Sequence, residues 1–369
     1  MAVLYTEFDN IYCFDHFKAN FTYPKKLVHS SLEDECFRSY PGVRYRKLNI
    51  LLGANGSGKS SLGRALHRVF LFLSRKEKGA LLEAVCDPAK EASVLIDFAF
   101  SDGLFCRVEI RIGADKEVSI RYRPLTMRAS DTYESLVARL PEDVPFENYL
   151  SVIESIEVGG WNFRFPAIEV SGAETIDCYV PEDEKEALRG IMENVLKTFD
   201  PSVLRVAISK ELNDSFIAYL ANGKQVAITD GNKLSELRYL SSGTKYGVNI
   251  AALLHNMKIG ANGFYFVDEH FSYVGSDIEI GCLALMVGYL GDGDQLFFTS
   301  HNEELLKLNY PHHSFNFMKK TVLEDGHIQI ELLNAGDFEK RNNVNLKNLF
   351  DNDYFGVAPD LASLYRAEA

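Results

Sequence analysis

The segment that most constrains the fold is residues 47–70, which read KLNILLGANGSGKSSLGRALHRVF. A short apolar run leads into a glycine-rich loop, and the loop leads into a helical pattern with apolar residues on one face. Those apolar residues are Leu62, Ala65, Leu66, Val69 and Phe70. This order predicts a strand, a tight turn and a helix, which is the context that a phosphate-binding loop requires.

The loop itself matches the pattern G-x-x-x-x-G-K-[ST], from Gly53 to Ser60. Its glycines let the backbone fold tightly, so that successive N–H groups can point at phosphate oxygens at the positive end of the helix. Lys59 can reach the β and γ phosphates, and the Ser60 hydroxyl can bind Mg²⁺. The candidate ATP-binding residues are Gly53, Asn55, Gly56, Ser57, Gly58, Lys59, Ser60 and Ser61.

Two carboxylates follow a second apolar run, GFYFVDE at 263–269. Four apolar residues before Asp268 and Glu269 are typical of a buried parallel strand that ends at the ligand-binding edge of a sheet. Beside a phosphate-binding loop, Asp268 is expected to hold Mg²⁺, and Glu269 to orient and deprotonate the attacking water.

A third run, QLFFTSH at 295–301, predicts a further strand that ends in Ser300 and His301 at the same edge. A histidine there can hydrogen-bond the γ-phosphate and respond to its loss. The alternative is that Ser300 or Asn302 caps the next helix and His301 has no catalytic role.

The segment YLSSGTKYG at 239–247 precedes an apolar helical pattern that ends near Gly260. A serine-glycine turn at a helix start is an anion-binding end, although a plain helix cap has the same appearance. The chain thus presents a phosphate-binding loop, a serine-glycine turn, an Asp-Glu strand and a strand with a histidine, in that order.

This order resembles the heads of ABC-type ATPases, most of all the group of SMC, RecF and OLD proteins. The resemblance implies an α/β fold with a mostly parallel core sheet, flanking helices and an antiparallel β subdomain. It also implies that Ser241, Ser242 and Gly243 form the signature loop that closes over the ATP of a second subunit. The sequence LSSGT at 240–244 is the variant of the signature loop in this chain. This variant and the segment DYFGVAP at 353–359 are similar to those of ATPases of anti-phage systems such as PARIS and Septu.

Three features depart from the ABC pattern. No glutamine lies between residues 60 and 224, so the usual loop glutamine is missing. The residue after Glu269 is His270 where a proline is usual, and no aromatic residue is evident for stacking on adenine, with Tyr40 and Tyr45 as weak candidates.

The roughly 180 residues between the helix that follows the phosphate-binding loop and the signature segment show no sustained heptad repeat of apolar residues. They predict strands, an amphipathic helix at 182–199 and a hairpin with its turn at Asn222-Gly223. We therefore expect a compact α+β insert and no long coiled coil. The expected divisions are an N-terminal lobe at 1–104, the insert at 105–204 and a C-terminal lobe at 205–369.

The composition of the chain restricts its possible binding partners and its cellular location. The net charge of −13 disfavours a surface that coats DNA, although arginines cluster at 44–46 and 121–128. Six scattered cysteines without a paired spacing, and apolar runs too short to cross a bilayer, indicate a cytoplasmic chain that is not inserted in a membrane.

The sequence therefore predicts an ATPase that forms a dimer or higher homo-oligomer with ATP at subunit interfaces. We expect it to control a separate effector, such as a nuclease, in anti-phage defence. The alternatives are a RecF- or SMC-like repair ATPase that binds DNA directly, and a scaffold that turns ATP over slowly. The sequence GDGD at 291–294 could be a metal loop, but a surface turn is the favoured interpretation.

Overall fold

A computed structural model describes residues 1–23, 30–32, 35–166, 182–211, 215–229, 233–234, 242–339 and 344–358. Contacts divide the chain into two units. The first comprises Met1–Phe163, Gly263–Asp268 and Gly291–Ala369, and the second comprises Arg164–Asn262 and Glu269–Leu290.

In chain order the strands are β1 (Ala2–Asp9), β2 (Phe17–Asn20), β3 (Cys36–Phe37), β4 (Tyr40–Arg44), β5 (Leu48–Leu52), β6 (Ala92–Ala99), β7 (Leu104–Ile112), β8 (Val118–Thr126), β9 (Glu147–Asn148), β10 (Trp161–Arg164), β11 (Val203–Ile208), β12 (Phe216–Leu220), β13 (Gln225–Thr229), β14 (Lys233–Leu234), β15 (Phe264–Asp268), β16 (Gln295–Thr299), β17 (Phe315–Val322) and β18 (Ile328–Asn334).

The helices are α1 (Lys59–Arg75), α2 (Gly79–Leu82), α3 (Tyr133–Ala138), α4 (Tyr149–Val152), α5 (Lys185–Phe199), α6 (Ser242–Lys258), α7 (Ser276–Tyr289), α8 (Ala335–Phe338) and α9 (Leu346–Asp351).

The central sheet of the first unit has the strand order β10-β15-β16-β5-β17-β18. Strands β15, β16, β5 and β17 run parallel, and β18 returns antiparallel to β17. Every residue of β5, β15 and β16 is buried, which explains why these strands are mostly apolar and show no polar alternation. The three strands expected from the sequence are confirmed, and so is the predicted parallel-rich α/β architecture.

Helix α1 packs directly on this sheet. Its predicted apolar face is buried, and Gly63 marks the closest approach. A Cβ at Gly63 would lie 2.4 Å from Cε1 of Phe266 on β15, so this crossing leaves no room for a side chain. The distance explains why a helix interior carries a residue with poor helix propensity.

A line of buried polar groups crosses three strands of the sheet. The Asn334 amide donates to Oδ1 of Asn316 (2.8 Å), and Arg46 Nη1 donates to the same oxygen (3.2 Å). The Asn49 amide donates to the carbonyl of Arg46 (2.8 Å), and the Asn316 amide lies 3.4 Å from Oδ1 of Asn49. Burial lowers the pKa of Arg46 to about 10, against the opposing charges of Asp337 and Glu35.

The antiparallel sheet of the first unit has the order β2-β1-β6-β7-β8-β9. Strands β7 and β8 form a hairpin, and its turn is closed by the Gly113 amide donating to the carbonyl of Glu117 (2.9 Å). On this sheet the buried Asp97 receives a two-pronged ion pair from Arg107, with both distances 2.7 Å.

The second unit contains a four-stranded sheet, β11-β12-β13-β14, together with α5, α6 and α7. The expected hairpin turn is present, and Gly223 supplies its left-handed residue with φ 79°. In α5 the buried positions include Leu188, Met192, Val195 and Leu196, as the amphipathic pattern predicted, whereas Ile191 and Phe199 are only partly buried. Among the described residues the longest helices, α1 and α6, have 17 residues each, so the insert is compact as expected.

Across the described ranges, none of the helices combines the length and the apolar composition that a membrane crossing needs.

Candidate active site

The phosphate-binding loop lies between β5 and α1, as predicted. Its glycines adopt left-handed or otherwise restricted backbone angles: φ is 143° at Gly53, 74° at Gly56 and 110° at Gly58. A Cβ at Gly53 would also lie 2.6 Å from the carbonyl oxygen of Met318. Each glycine is therefore required by backbone geometry, and together they leave the loop backbone open to an anion.

Two polar side chains of the loop are buried. Lys59 is 3% exposed, and its Nζ donates to the carbonyl oxygens of Gly53 (2.9 Å) and Ala54 (3.3 Å). Ser57 is 3% exposed, and within the described residues its hydroxyl has no hydrogen-bond partner. A buried hydroxyl without a partner among the described residues and a buried ammonium that donates to two loop carbonyls fit a phosphate group, which could bind both.

The sheet brings the first carboxylate to the same edge as the loop. Asp268 ends β15 in register with Thr299, which is in register with Leu51 of β5. Asp268 is fully buried, and its Oδ1 accepts a hydrogen bond of 2.7 Å from the Thr299 hydroxyl. Thr299 therefore fixes the orientation of this carboxylate, a supporting contact that the sequence analysis did not identify.

The second carboxylate begins a turn in the second unit. Glu269 has a left-handed backbone with φ 47°, which is uncommon for a residue with a side chain. Its carbonyl oxygen accepts from the Ser272 hydroxyl (3.0 Å) and lies 3.4 Å from the Ser272 amide. The turn thus sets Glu269 in one backbone conformation at the point where the chain leaves β15.

The strand β16 ends at Thr299, and the next three residues form a capped turn. The Ser300 hydroxyl accepts from the Asn302 amide (2.9 Å), and Asn302 Oδ1 accepts from the Glu304 amide (3.0 Å). His301 lies between these capping residues and is exposed. The capping by Ser300 and Asn302, which was the alternative to a catalytic role for His301, is therefore present. This capped turn holds His301 at the carboxyl end of β16. The helix expected after Asn302 is a short 3₁₀ segment, Glu303–Lys307.

The signature segment is only partly described. Helix α6 begins at Ser242 and includes Gly243, whereas Ser241 lies outside the described residues. The Thr244 hydroxyl donates to Oδ2 of Asp200 (3.1 Å). Burial opposes ionisation of Asp200, but hydrogen bonds from Ser202 and Thr244 hold its pKa below the usual value.

Gly247, the last residue of that segment, has a packing role. A Cβ there would lie 3.1 Å from the side chain of Leu196 on α5, so α6 and α5 cross closely at this point. The expected end of α6 is confirmed, since Gly260 adopts φ 64° and its amide donates to the carbonyl of Met257 (3.1 Å).

Neither candidate for stacking on adenine is placed to do so. Tyr45 is fully buried against Phe37, with ring centroids 4.9 Å apart, and Tyr40 packs in the same apolar cluster. Tyr45 is therefore a core residue, and this part of the sequence interpretation is wrong.

A cleft of about 980 Å³ opens beside Ser61 in the first unit. It is lined by the loop at 9–16, the segment at 83–91 and the turn at 326–328. Three residues of that first loop, Asn10, Tyr12 and His16, have left-handed backbones. The sequence carried no recognisable signal for this cleft because its walls come from three distant segments.

Within the residues described, one group of potential metal ligands has its donor atoms within 4.8 Å of one another: Asp9, Asp15 and His16. These side chains already contact one another and a third group, with His16 Nδ1 3.2 Å from Asp9 and His327 Nε2 2.5 Å from Asp15. The GDGD segment forms a turn before β16, closed by Gly291 donating to Asp294 (2.7 Å), as the surface-turn interpretation predicted.

Comparisons with known proteins agree with this architecture. No protein-family model matches the chain, and no curated protein matches its sequence. Solved structures do match its fold. The Smc head bound to the C-winged helix domain of ScpA has a TM-score of 0.54 and 14% identity, over 91% of this chain and 99% of that chain.

Two further Smc heads give similar values. The Pyrococcus furiosus Smc head with an extended coiled coil, bound to the C-terminal domain of ScpA, has a TM-score of 0.52 and 11% identity, over 91% of this chain and 97% of its own. The Pyrococcus yayanosii Smc head with a coiled coil and joint has a TM-score of 0.50 and 10% identity, over 95% and 99%. The chain therefore has the fold of an SMC head domain.

Proposed function

We propose that this chain binds ATP with Mg²⁺ and hydrolyses it as an ABC-type ATPase head. The observation that carries the proposal is the loop between β5 and α1. It combines three glycines in restricted conformations, a buried lysine held by loop carbonyls and a buried serine hydroxyl without a described partner. This combination fits a loop that binds a phosphate group through its backbone amides and its lysine.

Under this proposal, residues of the phosphate-binding loop bind the phosphates, and residues at the end of β15 and the start of α1 bind Mg²⁺. Lys59 would move from the carbonyls of Gly53 and Ala54 to the β and γ phosphates, and loop amides would bind the remaining oxygens. Ser60 and Asp268 fit Mg²⁺, because a hydroxyl and a carboxylate are hard oxygen ligands. When bound, Mg²⁺ neutralises charge that develops on the phosphate oxygens.

Glu269 would orient the attacking water and accept its proton. The bond from water oxygen to the γ-phosphorus forms as the bond to the bridging oxygen of ADP breaks, and phosphate leaves. His301, held by the capped turn at Ser300 and Asn302, would donate a hydrogen bond to the γ-phosphate. The cleft beside Ser61 would accommodate the nucleoside, since it opens next to the phosphate-binding residues.

The proposal includes a homo-oligomer. Ser241, Ser242 and Gly243 at the start of α6 would bind the γ-phosphate held by a neighbouring copy, so that ATP closes the interface. Two of the matched Smc heads are bound to a domain of ScpA, which supports a protein partner for this fold.

We further propose that the partner is an effector such as a nuclease in anti-phage defence, and that the chain acts in the cytoplasm. The support is the likeness of the signature variant and of the segment at 353–358 to defence ATPases. In the structure Asp353 Oδ1 accepts from the amides of Val357 (2.8 Å) and Ala358 (2.9 Å), and Phe355 stacks on Phe317 at 4.3 Å. A partner protein is favoured over DNA because Arg121 and Arg123 pair with Glu109.

The test compares the wild-type chain with Glu269→Gln, and with Glu324→Gln as a matched control at an exposed turn. Loss of the base should lower ATP turnover roughly a hundred- to ten-thousand-fold. ATP binding should survive, and the variant should accumulate as an ATP-bound oligomer in light scattering.

Turnover of the wild type no faster than that of Glu269→Gln would contradict hydrolysis and leave an ATP-dependent scaffold. Salt-sensitive duplex binding by the wild-type chain alone would favour the DNA-binding alternative.

A further inference from the structure

An aromatic cluster in the second unit joins the start of α6 to the Glu269 turn. We name Tyr246, His270 and Tyr273 the aromatic clamp. Tyr273 stacks on Tyr246 with ring centroids 5.3 Å apart and planes 14° apart. The His270 ring meets Tyr246 edge-on, at 5.9 Å and 78°. Tyr246 therefore contacts both rings that follow Glu269.

The two ends of the clamp carry different candidate functions. Tyr246 lies one helical turn after Gly243, on the helix whose start holds the signature residues. His270 is adjacent to Glu269 and is 3% exposed. The clamp thus links, within this unit, a candidate anion-binding helix start to the candidate base.

The Glu269 turn needs such support. A left-handed glutamate persists only where its surroundings hold it, because that conformation is strained. Ser272 binds the carbonyl of Glu269, and Phe271 is 3% exposed in the core of this unit. The Tyr246 ring stacks on Tyr273 of the same turn, and burial together with the Tyr273 hydroxyl raises the pKa of Tyr246.

Tyr273 remains 63% exposed although it is stacked. Its stacking on Tyr246 is therefore a contact between the end of the turn and α6 that burial alone does not explain. A displacement of the α6 start would then move His270 and Tyr273 with it.

We propose that Tyr246 is a positioning residue that couples the start of α6 to the Glu269 turn. An anion that binds Ser242 and Gly243 would thereby set the orientation of the Glu269 carboxylate in the same chain. The roles of the two ends rest on the proposed function, whereas the mechanical link rests on the clamp itself. In an oligomer, the γ-phosphate of an ATP bound to a neighbouring copy would be this anion. Its binding would orient Glu269 and so activate hydrolysis at this chain's own ATP site.

The first test does not depend on ATP. Hydrogen exchange of the amides at 271–274 is measured in the wild type, Tyr246→Ala, Tyr246→Phe and Tyr219→Ala. Tyr219 is a matched control because it is partly buried in the same unit and its contact is with Arg205, at 4.0 Å. We expect Tyr246→Ala to exchange at least about tenfold faster in this turn, and the other two variants to match the wild type.

The second test uses the ATPase reaction. Tyr246→Ala should lower kcat about ten- to a hundredfold, the scale of a slightly misplaced catalytic group, with the Kd for ATP unchanged. The Hill coefficient for ATP should fall towards one, and Tyr246→Phe should restore both values.

Unchanged exchange in Tyr246→Ala would overturn the coupling, and so would equal loss of kcat in Tyr246→Phe and Tyr246→Ala. A wild-type chain that does not hydrolyse ATP would overturn the proposed function, while the exchange result would still decide the mechanical link.

Discussion

The phosphate-binding loop and the signature segment are both glycine- and serine-rich turns at a helix start, yet they are built differently. The first follows the buried strand β5 and ends on α1, which packs on the sheet at Gly63. The signature segment starts α6, whose described anchors are the Thr244 contact with Asp200 and the close crossing at Gly247.

The difference shows what a helix start needs in order to bind a nucleotide. The first turn has its own lysine, its own glycines and a carboxylate strand at the same sheet edge, so it holds the elements of a phosphate site within one unit. The second offers a helix dipole, and under our proposal it binds an anion only when a neighbouring copy supplies the nucleotide.

Removing the lysine should break the first site outright. We expect Lys59→Ala to lower kcat/KM for ATP about a thousandfold, because the ammonium is the main cation of the loop. Lys258→Ala, at the exposed end of α6, serves as control and should be indistinguishable from the wild type. Nucleotide binding by Lys59→Ala at wild-type affinity would contradict this assignment.

Blocking the second site should separate binding from turnover. Ser241→Arg should reduce kcat about a hundredfold, as for loss of a group that acts in the transition state, while ATP still binds at Lys59. An exposed control, Ser151→Arg on α4, should retain full turnover. If Ser241→Arg hydrolyses ATP at the normal rate, the segment is only a helix cap.

The rigidity of the first site can be tested through its helix. Gly63→Ala places a methyl group against Phe266 and should destabilise the chain by about 2 kcal/mol, despite better helix propensity. Gly190→Ala is a matched control, because a Cβ there meets no atom within 4 Å and should stabilise α5 slightly. Urea unfolding of both variants would measure the contrast, and equal effects would refute the close crossing.

The same helix should give the chain an acid sensitivity. Burial, followed by the charges of Arg68 and Arg75, lowers the pKa of His67 from 6.5 to about 4. The unfolded chain therefore binds this proton more readily, so stability is full above pH 6.5 and falls as the pH drops towards 4. Between pH 7 and pH 5 we expect a loss of roughly 1–2 kcal/mol that His67→Gln abolishes.

The exposed His327 provides the control for this measurement, since His327→Gln should leave the acid-dependent loss in place. A pH profile of unfolding that is the same for His67→Gln and the wild type would contradict the prediction.

Much of the central sheet could be predicted because its strands are short apolar segments next to glycine-containing turns. The strands at 48–52, 264–268 and 295–299 were each expected from the sequence, and their parallel pairing followed from the ligand-bearing residues at their ends. Local chemistry also predicted the Asn222-Gly223 turn and the Gly260 helix end.

The supporting contacts could not be predicted, because they join residues far apart in the sequence. Thr299 binds Asp268 across 31 positions, and the clamp ring of Tyr246 meets residues more than 20 positions later. Tyr45 misled the sequence interpretation since aromatic residues near a nucleotide site and in a core look alike in one dimension.

The buried polar line through Arg46, Asn49, Asn316 and Asn334 has a consequence for how this sheet assembles. A shift of β17 by one residue would place its amide among apolar side chains and leave its partners without hydrogen bonds, a loss that hydrophobic packing alone would not prevent. The hairpin of β17 and β18 is local in sequence, and the buried polar line favours a single alignment of this hairpin on β5. The side-chain amides of Asn49, Asn316 and Asn334 thus select the correct strand register. They also hold β5, the strand that leads into the phosphate-binding loop, in place without a bound nucleotide.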